Sequence, residues 1–505
     1  MMAVVDVEAS ELEPLLLPNH PSFTTDDPLG LIDAEEYPTP VYPILESQLF
    51  HRFEPTSQVI PPEFISSEFT SVISDLSYSL HNRPDPNLNI LRRCINSRPD
   101  AAACIRSIIH SASNLPSLFP NCSLEPLNPG GKRTYTKAHL LSILSHQALL
   151  TLPCPKWNDW GGVNLTSWYS DADGNSEPKT TYTNITLDHF NKSIAPSHSQ
   201  GFTFHLCHSK TPPSFTTKAK LIPLKILELL NEEDFPVTTL LTDNTHTTYI
   251  ISSHRLIGHG PSATQEERIL ASIPELLPVS TFTPPLKENT ALAVTASLEN
   301  GFTPTAIFTG HGRTARKDQK YDREDYQGEN TENRIRANTF LFLNATELDT
   351  TEIAETEDGT RVLPDFLPGV LEKDMLKSYT GFHGVFDSQT RKEGKNQRII
   401  ATPWGSGAFG GDIRVKLLIL WAAASFAAAE LEEGQETGLV FLVKQFVIDT
   451  KEVRWKEMLK KIQDSEVGAD DVWRALLEVG ENGASNSNVF EAIVDSLGLE
   501  RPHGI

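Results

Sequence analysis

From residue 246 onward, short apolar runs alternate with helical stretches, and this alternation constrains the fold more than any other feature of the chain. Runs at 246–251 (HTTYII), 291–297, 304–309 (PTAIFT), 338–344 (NTFLFLN), 397–402 (QRIIAT) and 438–443 (GLVFLV) have the length and the β-branched or aromatic content of buried strands. Helices are expected over 218–231, 265–277 and 412–431. Strands that are apolar along their length need both faces covered, so the expected class is α/β, a sheet between helices in a domain of ~220 residues.

The rest of the chain reads differently. Residues 75–150 have helical periodicity: Leu141, Leu144 and Ala148 share a face, and Thr136 is an expected N-cap for a helix starting near Lys137. Between Trp157 and Phe215 the chain turns polar (DADGNSEPKTTYTNIT) and resembles a long insertion, while 467–499 reads as two amphipathic helices. The first fifty residues hold ten acidic side chains, no Lys or Arg, and seven prolines, the composition of a poorly ordered acidic arm. Four segments are expected: an acidic, Pro-rich arm over 1–74, a helical accessory region with a polar insertion over 75–215, the α/β domain over 216–460, and C-terminal helices over 461–505.

Sixty-six acidic against 43 basic residues give a net charge of −23, which argues against a surface that tracks duplex nucleic acid. Any polyanion must be met locally. The start of the chain lacks the basic region of a secretory signal, and the longest mostly apolar run, Leu417 to Ala429, falls short of the roughly 18 residues that suggest a membrane span. Five scattered cysteines without CxxC spacing fit reduced thiols in the nucleus or cytoplasm. His205, Cys207 and His208, with His254 and His259, raise the question of a metal, but their spacing matches no zinc pattern.

Two segments can carry chemistry. Trp404-Gly405-Ser406-Gly407-Ala408-Phe409-Gly410-Gly411-Asp412 lies between an expected strand and an Ala-rich helix. Four glycines in seven residues let successive N–H groups converge on an anion, and the following helix start adds partial positive charge. Such turns also occur for packing alone. Phe409 either packs on a ribose or base, or plugs the loop against the core. The second segment runs from Gly258-His259-Gly260 to Gln265-Glu266-Glu267-Arg268. Thr264-x-x-Glu267 is a capping box in its structural reading; in its catalytic reading one carboxyl transfers a proton while the other orients substrate. Neighbouring helical side chains diverge by about 100°, so the two carboxyls cannot flank one glycosidic bond, and a single one would carry most of the proton transfer.

Together these segments resemble the poly(ADP-ribose) glycohydrolase family, whose signature is a Gly-rich loop followed by Gln-Glu-Glu at a helix start and, later, a Trp-Gly-Cys-Gly-Ala-Phe-Gly-Gly-Asp-type diphosphate loop. The resemblance implies a macrodomain-like mixed sheet between helices, with an N-terminal helical accessory region. It implies that Glu267 protonates the departing ribose oxygen and then deprotonates water, that Glu266 holds ribose hydroxyls, and that Gly258, Gly260 and Gln265 line the substrate. Gly405, Ser406, Gly407, Ala408, Gly410 and Gly411 would cradle the diphosphate, Phe409 would order the terminal ribose, and His311 would stand where the family stacks adenine on Tyr. The implied reaction is hydrolysis of ribose–ribose O-glycosidic bonds of poly(ADP-ribose), without metal or other cofactor. The implied partners are the polymer and ADP-ribosylated proteins in the DNA damage response, met by a monomer that binds neither duplex nucleic acid nor membrane. The alternative is a macrodomain that binds ADP-ribose without cleaving it.

The departures from the family point to a divergent, fungal-type branch. His259 replaces the middle of three glycines, Ile251 and His254 stand where acidic and amide residues are usual, Pro403 replaces Asn, and Ser406 replaces Cys.

Overall fold

The computed structural model describes residues 12–25, 39–50, 52–53, 62–81, 86–158, 162–172, 174, 176–192, 201–210, 213–229, 246–260, 262, 264–296, 305–306, 308–309, 316–317, 338–349, 362–393, 397–431, 436–444, 453–482 and 489–500. Its centre is an eight-stranded sheet. In chain order the strands are β1 (Lys132–Thr136), β2 (Gly201–His208), β3 (Leu224–Leu229), β4 (His246–Ser253), β5 (Thr290–Ala296), β6 (Thr339–Asn344), β7 (Gln397–Ala401) and β8 (Thr437–Lys444). Across the sheet the order is β1-β2-β5-β6-β4-β7-β8-β3. Neighbours from β6 to β3 are parallel, and β1, β2 and β5 form an antiparallel flank that joins at β6.

Alternation along the strands divides the interior into two cores. Tyr249, Ile251, Phe340, Phe342 and Ile400 face one side, together with the N-terminal helices and the helix Gln265–Ser272. Ile250, Leu341, Leu343, Ile399, Ala401 and Phe441 face the other, against the helices Val370–Glu393 and Ile413–Ala428 and those of the C-terminal segment. Successive strand residues point to opposite faces, so each apolar run supplies both cores at once. This is the mixed sheet between helices expected of a macrodomain.

The helices of the first core are α1 (Pro62–His81), α2 (Asn89–Asn96), α3 (Ala101–Ser113), α4 (Lys137–Ala148), α5 (Thr166–Tyr169), α6 (Ser176–Lys192) and α7 (Gln265–Ser272). Thr136 caps α4 by accepting from His139 N, as expected. On the other face lie α8 (Val370–Glu393), α9 (Ile413–Ala428), α10 (Val453–Asp464), α11 (Ala469–Glu481) and α12 (Val489–Ser496). Among the described residues, no helix is long and apolar enough to cross a membrane.

Several expectations need revision. The stretch expected as a helix over 218–231 contains β3, whose residues pair in parallel register with β8 from Leu224↔Leu439 onward; an available strand edge overrides weak local helical preference. Within the polar stretch after Trp157, α6 buries Tyr182, Ile185, Leu187 and Phe190 against α2 and α3, and β2 adds a central strand of the antiparallel flank. The expected boundary at 216 therefore does not coincide with an edge of the sheet: β1 and β2 come from before it. The described parts of the first 74 residues are packed as well. Leu15, Leu17, Val41, Leu45 and Leu49 are buried, and Leu15 and Leu16 pair with Leu124 and Ser123.

Candidate functional site

Both motif loops leave the carboxyl ends of adjacent parallel strands, β4 and β7, the position where open α/β sheets place their ligands. Gln265, the first residue of α7, ties them together. Its Oε1 accepts from Ser252 N at 3.0 Å and from Thr402 Oγ1 at 3.3 Å, and its Nε2 donates to Ile250 O at 3.3 Å. Gly405 N donates to Ser252 Oγ at 3.4 Å. Gln265 thus bridges the ends of both strands rather than standing free.

The loop after β4 is organised by the two carboxylates. Glu266 is buried; its Oε2 accepts from His254 N at 2.7 Å and its Oε1 from Gly258 N at 2.8 Å, folding the 254–258 backbone around one side chain. Burial and, less strongly, the like charge of Glu267 raise this carboxyl against the pull of the two amides, leaving it at about 8. Glu267, also buried, completes the capping box: Oε2 accepts from Thr264 N at 3.0 Å while Glu267 N donates to Thr264 Oγ1 at 3.4 Å. The other oxygen lies against Gly260, so a side chain at 260 would displace the Glu267 carboxyl from this position. The side chains of 266 and 267 therefore diverge as adjacent helical residues must, one beneath the loop and one along it.

The accessory region holds the same loop from outside. Trp168 of α5 donates its indole N–H to Gly260 O at 3.1 Å, and His259 Nε2 lies 2.8 Å from Asn164 O with its ring edge-on to Trp168. The side chain at the position where the family has glycine is thus seated among the N-terminal helices. His254 reaches a third segment. Its Nδ1 lies 3.1 Å from Leu256 N and 3.3 Å from Leu256 O, and its Nε2 lies 3.4 Å from Glu347 Oε1. Ile251 is fully buried in β4 and faces the core.

The loop after β7 is built on different principles. Gly405 and Gly410 have φ of +68° and +73°, conformations that favour glycine. Gly411 N donates to Gly405 O at 3.0 Å and Gly410 N to Gly407 O at 3.1 Å, while Phe409 O accepts from Leu348 N at 2.9 Å. Ser406 turns inward, its Oγ donating to Trp404 O at 3.3 Å. Gly407 and Ala408 form the exposed tip, and Phe409 is half-buried against the apolar cluster below. The amides of Gly407, Ala408 and Phe409 donate to no protein acceptor among the described residues, so three consecutive N–H groups remain for an anion. The helix start contributes less than expected, because Asp412 caps α9, accepting from Arg414 N at 2.9 Å and Val415 N at 3.4 Å.

Beneath this loop lies an ion cluster that sequence reasoning missed. Lys416, fully buried, places Nζ 2.9 Å from Asp365 Oδ1 and also bonds Asp374 Oδ2. Asp365 Oδ2 accepts from Asp412 N at 2.7 Å, and Asp374 Oδ1 accepts from Thr346 N at 3.0 Å and Thr346 Oγ1 at 2.8 Å. The Lys416 side chain runs under the glycines, where a Cβ on Gly411 would come within 2.4 Å of its Cε. The sequence does carry a signal for it: Lys416 is the sole charged residue between Val415 and Ala427.

His311 lies outside the described residues, as does the Gly310–Arg313 loop. The histidines considered for a metal are dispersed. His205, Cys207 and His208 are on β2, three strands from His254 at the end of β4, and no group of three or more His, Cys, Asp or Glu among the described residues is placed to hold a metal ion.

Among solved structures, a chain titled "Alphavirus P23pro-zbd" aligns with 79% of this chain and 41% of its own length, at 11% identity and a TM-score of 0.21, a likeness too slight to carry an argument. Residues 229–432 match the family described as "Poly (ADP-ribose) glycohydrolase (PARG), Macro domain fold". That span begins at the end of β3 and contains β4, both motif loops, and the whole of α7, α8 and α9. Over that span the chain is similar to the poly(ADP-ribose) glycohydrolase family.

Proposed function

We propose that the chain hydrolyses ribose–ribose O-glycosidic bonds of poly(ADP-ribose) and releases ADP-ribose, with Glu267 as general acid and then general base. The observation that carries this reading is the junction at Gln265, which joins the helix bearing Glu267 to the strand that feeds the amide-lined loop. The free amides of 407–409 suit a diphosphate, and Phe409 at their edge suits the adjoining ribose. Glu267 would protonate the departing oxygen as positive charge develops on the sugar, and the diphosphate would stabilise that charge. Glu266 would act through the backbone it gathers, fixing the 254–258 turn against which a ribose rests.

The decisive experiment incubates the full chain with poly(ADP-ribose) and follows free ADP-ribose. Glu267→Gln is expected to lower turnover by about a thousandfold while leaving ADP-ribose affinity within about threefold. Turnover near the wild-type rate would reject the assignment of the acid. A second reading, a domain that binds ADP-ribose without cleaving it, is favoured by the engagement of Glu267 with Thr264 and Gly260. It predicts calorimetric binding with no product from the wild type.

A further inference from the structure

The opposite end of the parallel strands carries a second feature. A groove of about 740 Å³ opens at the amino-terminal ends of β3, β7 and β8. Lys218, Lys220, Lys225 and Arg398 line it, with Glu436 as the one acidic residue. In a chain where acids outnumber bases 66 to 43, this is a local reversal of sign. The three lysines are exposed, and none of them makes an ion pair among the described residues.

The frame beneath them is rigid. Ala219 O accepts from Ala469 N at 2.8 Å, Ile222 N donates to Ser425 Oγ at 3.1 Å, and Ile222 O accepts from Trp421 Nε1 at 2.8 Å. Pro223 O accepts from Leu439 N at 2.9 Å, and Leu224 N donates to Gln463 Oε1 at 2.8 Å. Every residue from 219 to 224 except Lys220 and Leu221 is thus fixed through its backbone, and Lys220 bridges to Gly468. The backbone that carries Lys220 and Lys225 is thus held in place, so their spacing along the groove is set while the side chains remain free to reach a polyanion.

We propose that this groove is a second binding site for the substrate polymer, taking diphosphate groups of units distant from the bond being cleaved. The proposal rests on the hydrolase reading of the first site. Arg398 and Thr402 are four residues apart on one strand and its exit, about 13 Å, so a chain of repeating diphosphates can reach both ends of the sheet. The acidic arm of the protein itself is the less suited occupant. Its described part is anchored at Leu15–Leu16 beside Ser123–Leu124, towards the β1 side, whereas β3 is the far edge, seven strand spacings or about 34 Å away. Residues 1–11 would have to be stretched to nearly their full length of roughly 37 Å.

The test uses the full chain carrying Lys218→Glu, Lys220→Glu and Lys225→Glu together, checked for an unchanged thermal midpoint, with long poly(ADP-ribose) and a two-unit oligomer as substrates. KM for the long polymer is expected to rise about tenfold, and the salt slope of its binding to fall by about two, while turnover of the two-unit oligomer stays within twofold. An unchanged ratio of long to short substrate overturns the proposal. So does tighter polymer binding on removal of residues 1–11 that depends on the lysines, or duplex DNA of matched charge binding the groove as well as the polymer. If the wild type turns over neither substrate, the hydrolase reading fails by itself. Fluorescence anisotropy with labelled long polymer then decides the groove: equal affinity of wild type and variant refutes it.

Discussion

The two loops leave the ends of the adjacent strands β4 and β7 and handle their backbone amides in opposite ways. After β4, the amides of His254, Gly258 and Thr264 are taken by Glu266 and Glu267, so the loop spends its donors on its own carboxylates. After β7, the anchoring groups lie underneath. Lys416, Asp365 and Asp374 hold the loop by its ends and its floor, and the amides at the tip stay available. Under the proposed function the contrast would follow from what each loop meets: one that presents a proton donor to a sugar can be built on acids, whereas one that receives a diphosphate must keep acids behind its backbone and donors in front.

The largest way to break this contrast is to remove the cation below. Lys416→Met leaves two carboxylates buried without their partner, and is expected to cost about 3–5 kcal/mol in denaturant unfolding, with ADP-ribose affinity lost alongside. A cost below about 1 kcal/mol would mean that the cluster is not what holds the loop.

Space differs from glycine to glycine within the loops, and the pair Gly411 and Gly258 gives the next test. Gly411→Ala drives a methyl to 2.4 Å from Lys416 Cε and 2.9 Å from Gly405 O, and is expected to cost about 1–3 kcal/mol. Gly258→Ala meets nothing closer than Ser280 Cβ at 4.0 Å and should unfold within about 0.5 kcal/mol of wild type. Equal midpoints for the two variants would remove the distinction.

Titration gives a further separation. The Glu266 carboxyl is raised to about 8 by burial, so between its ordinary value of 4.5 and about 8 the unfolded chain loses this proton and the folded one keeps it. The unfolded state then binds fewer protons, and stability falls as pH rises through that window. The stability of wild type relative to Glu266→Gln, taken from urea midpoints between pH 5 and 9, should decline up to about pH 8 and level off above it. A flat difference would show that the carboxyl is already charged in the fold. The smallest effect concerns the contact between the loop after β4 and the segment after β6: Glu347 is half exposed, and Glu347→Gln should change stability by less than about 1 kcal/mol despite its contact with His254.

The strands around the cleft were legible because a strand buried on both faces must be apolar throughout, as in TFLFLN of β6 and GLVFLV of β8. The capping box was legible because it depends on residues three apart. Structure that depends on distant partners was not. β3 reads as helix until the edge of β8 is known, and α6 looks like a polar loop because its many Thr and Asn residues conceal Tyr182, Ile185 and Phe190. α8 contains Gly381 and Gly384, which lower helical preference in the sequence although the helix runs through both. The fold explains the second: a Cβ at 384 would sit 2.4 Å from Cys207 Sγ, where the helix crosses β2. At the site, sequence pattern pointed to Glu266, Glu267 and the glycines. The partners of Lys416 lie 42 and 51 residues earlier in the chain, at Asp374 and Asp365, and Trp168 is nearly a hundred residues before Gly260, so no local pattern could have joined them.

The entry of β1 and β2 into the sheet from the N-terminal half bears on how this protein can be dissected. A fragment beginning at 216 would uncover the outer side of β5 along seven consecutive register pairs and strip the apolar cover from Leu292 and Val294. An uncapped apolar strand of that length is a template for other chains, so such a fragment should self-associate rather than report on the isolated half.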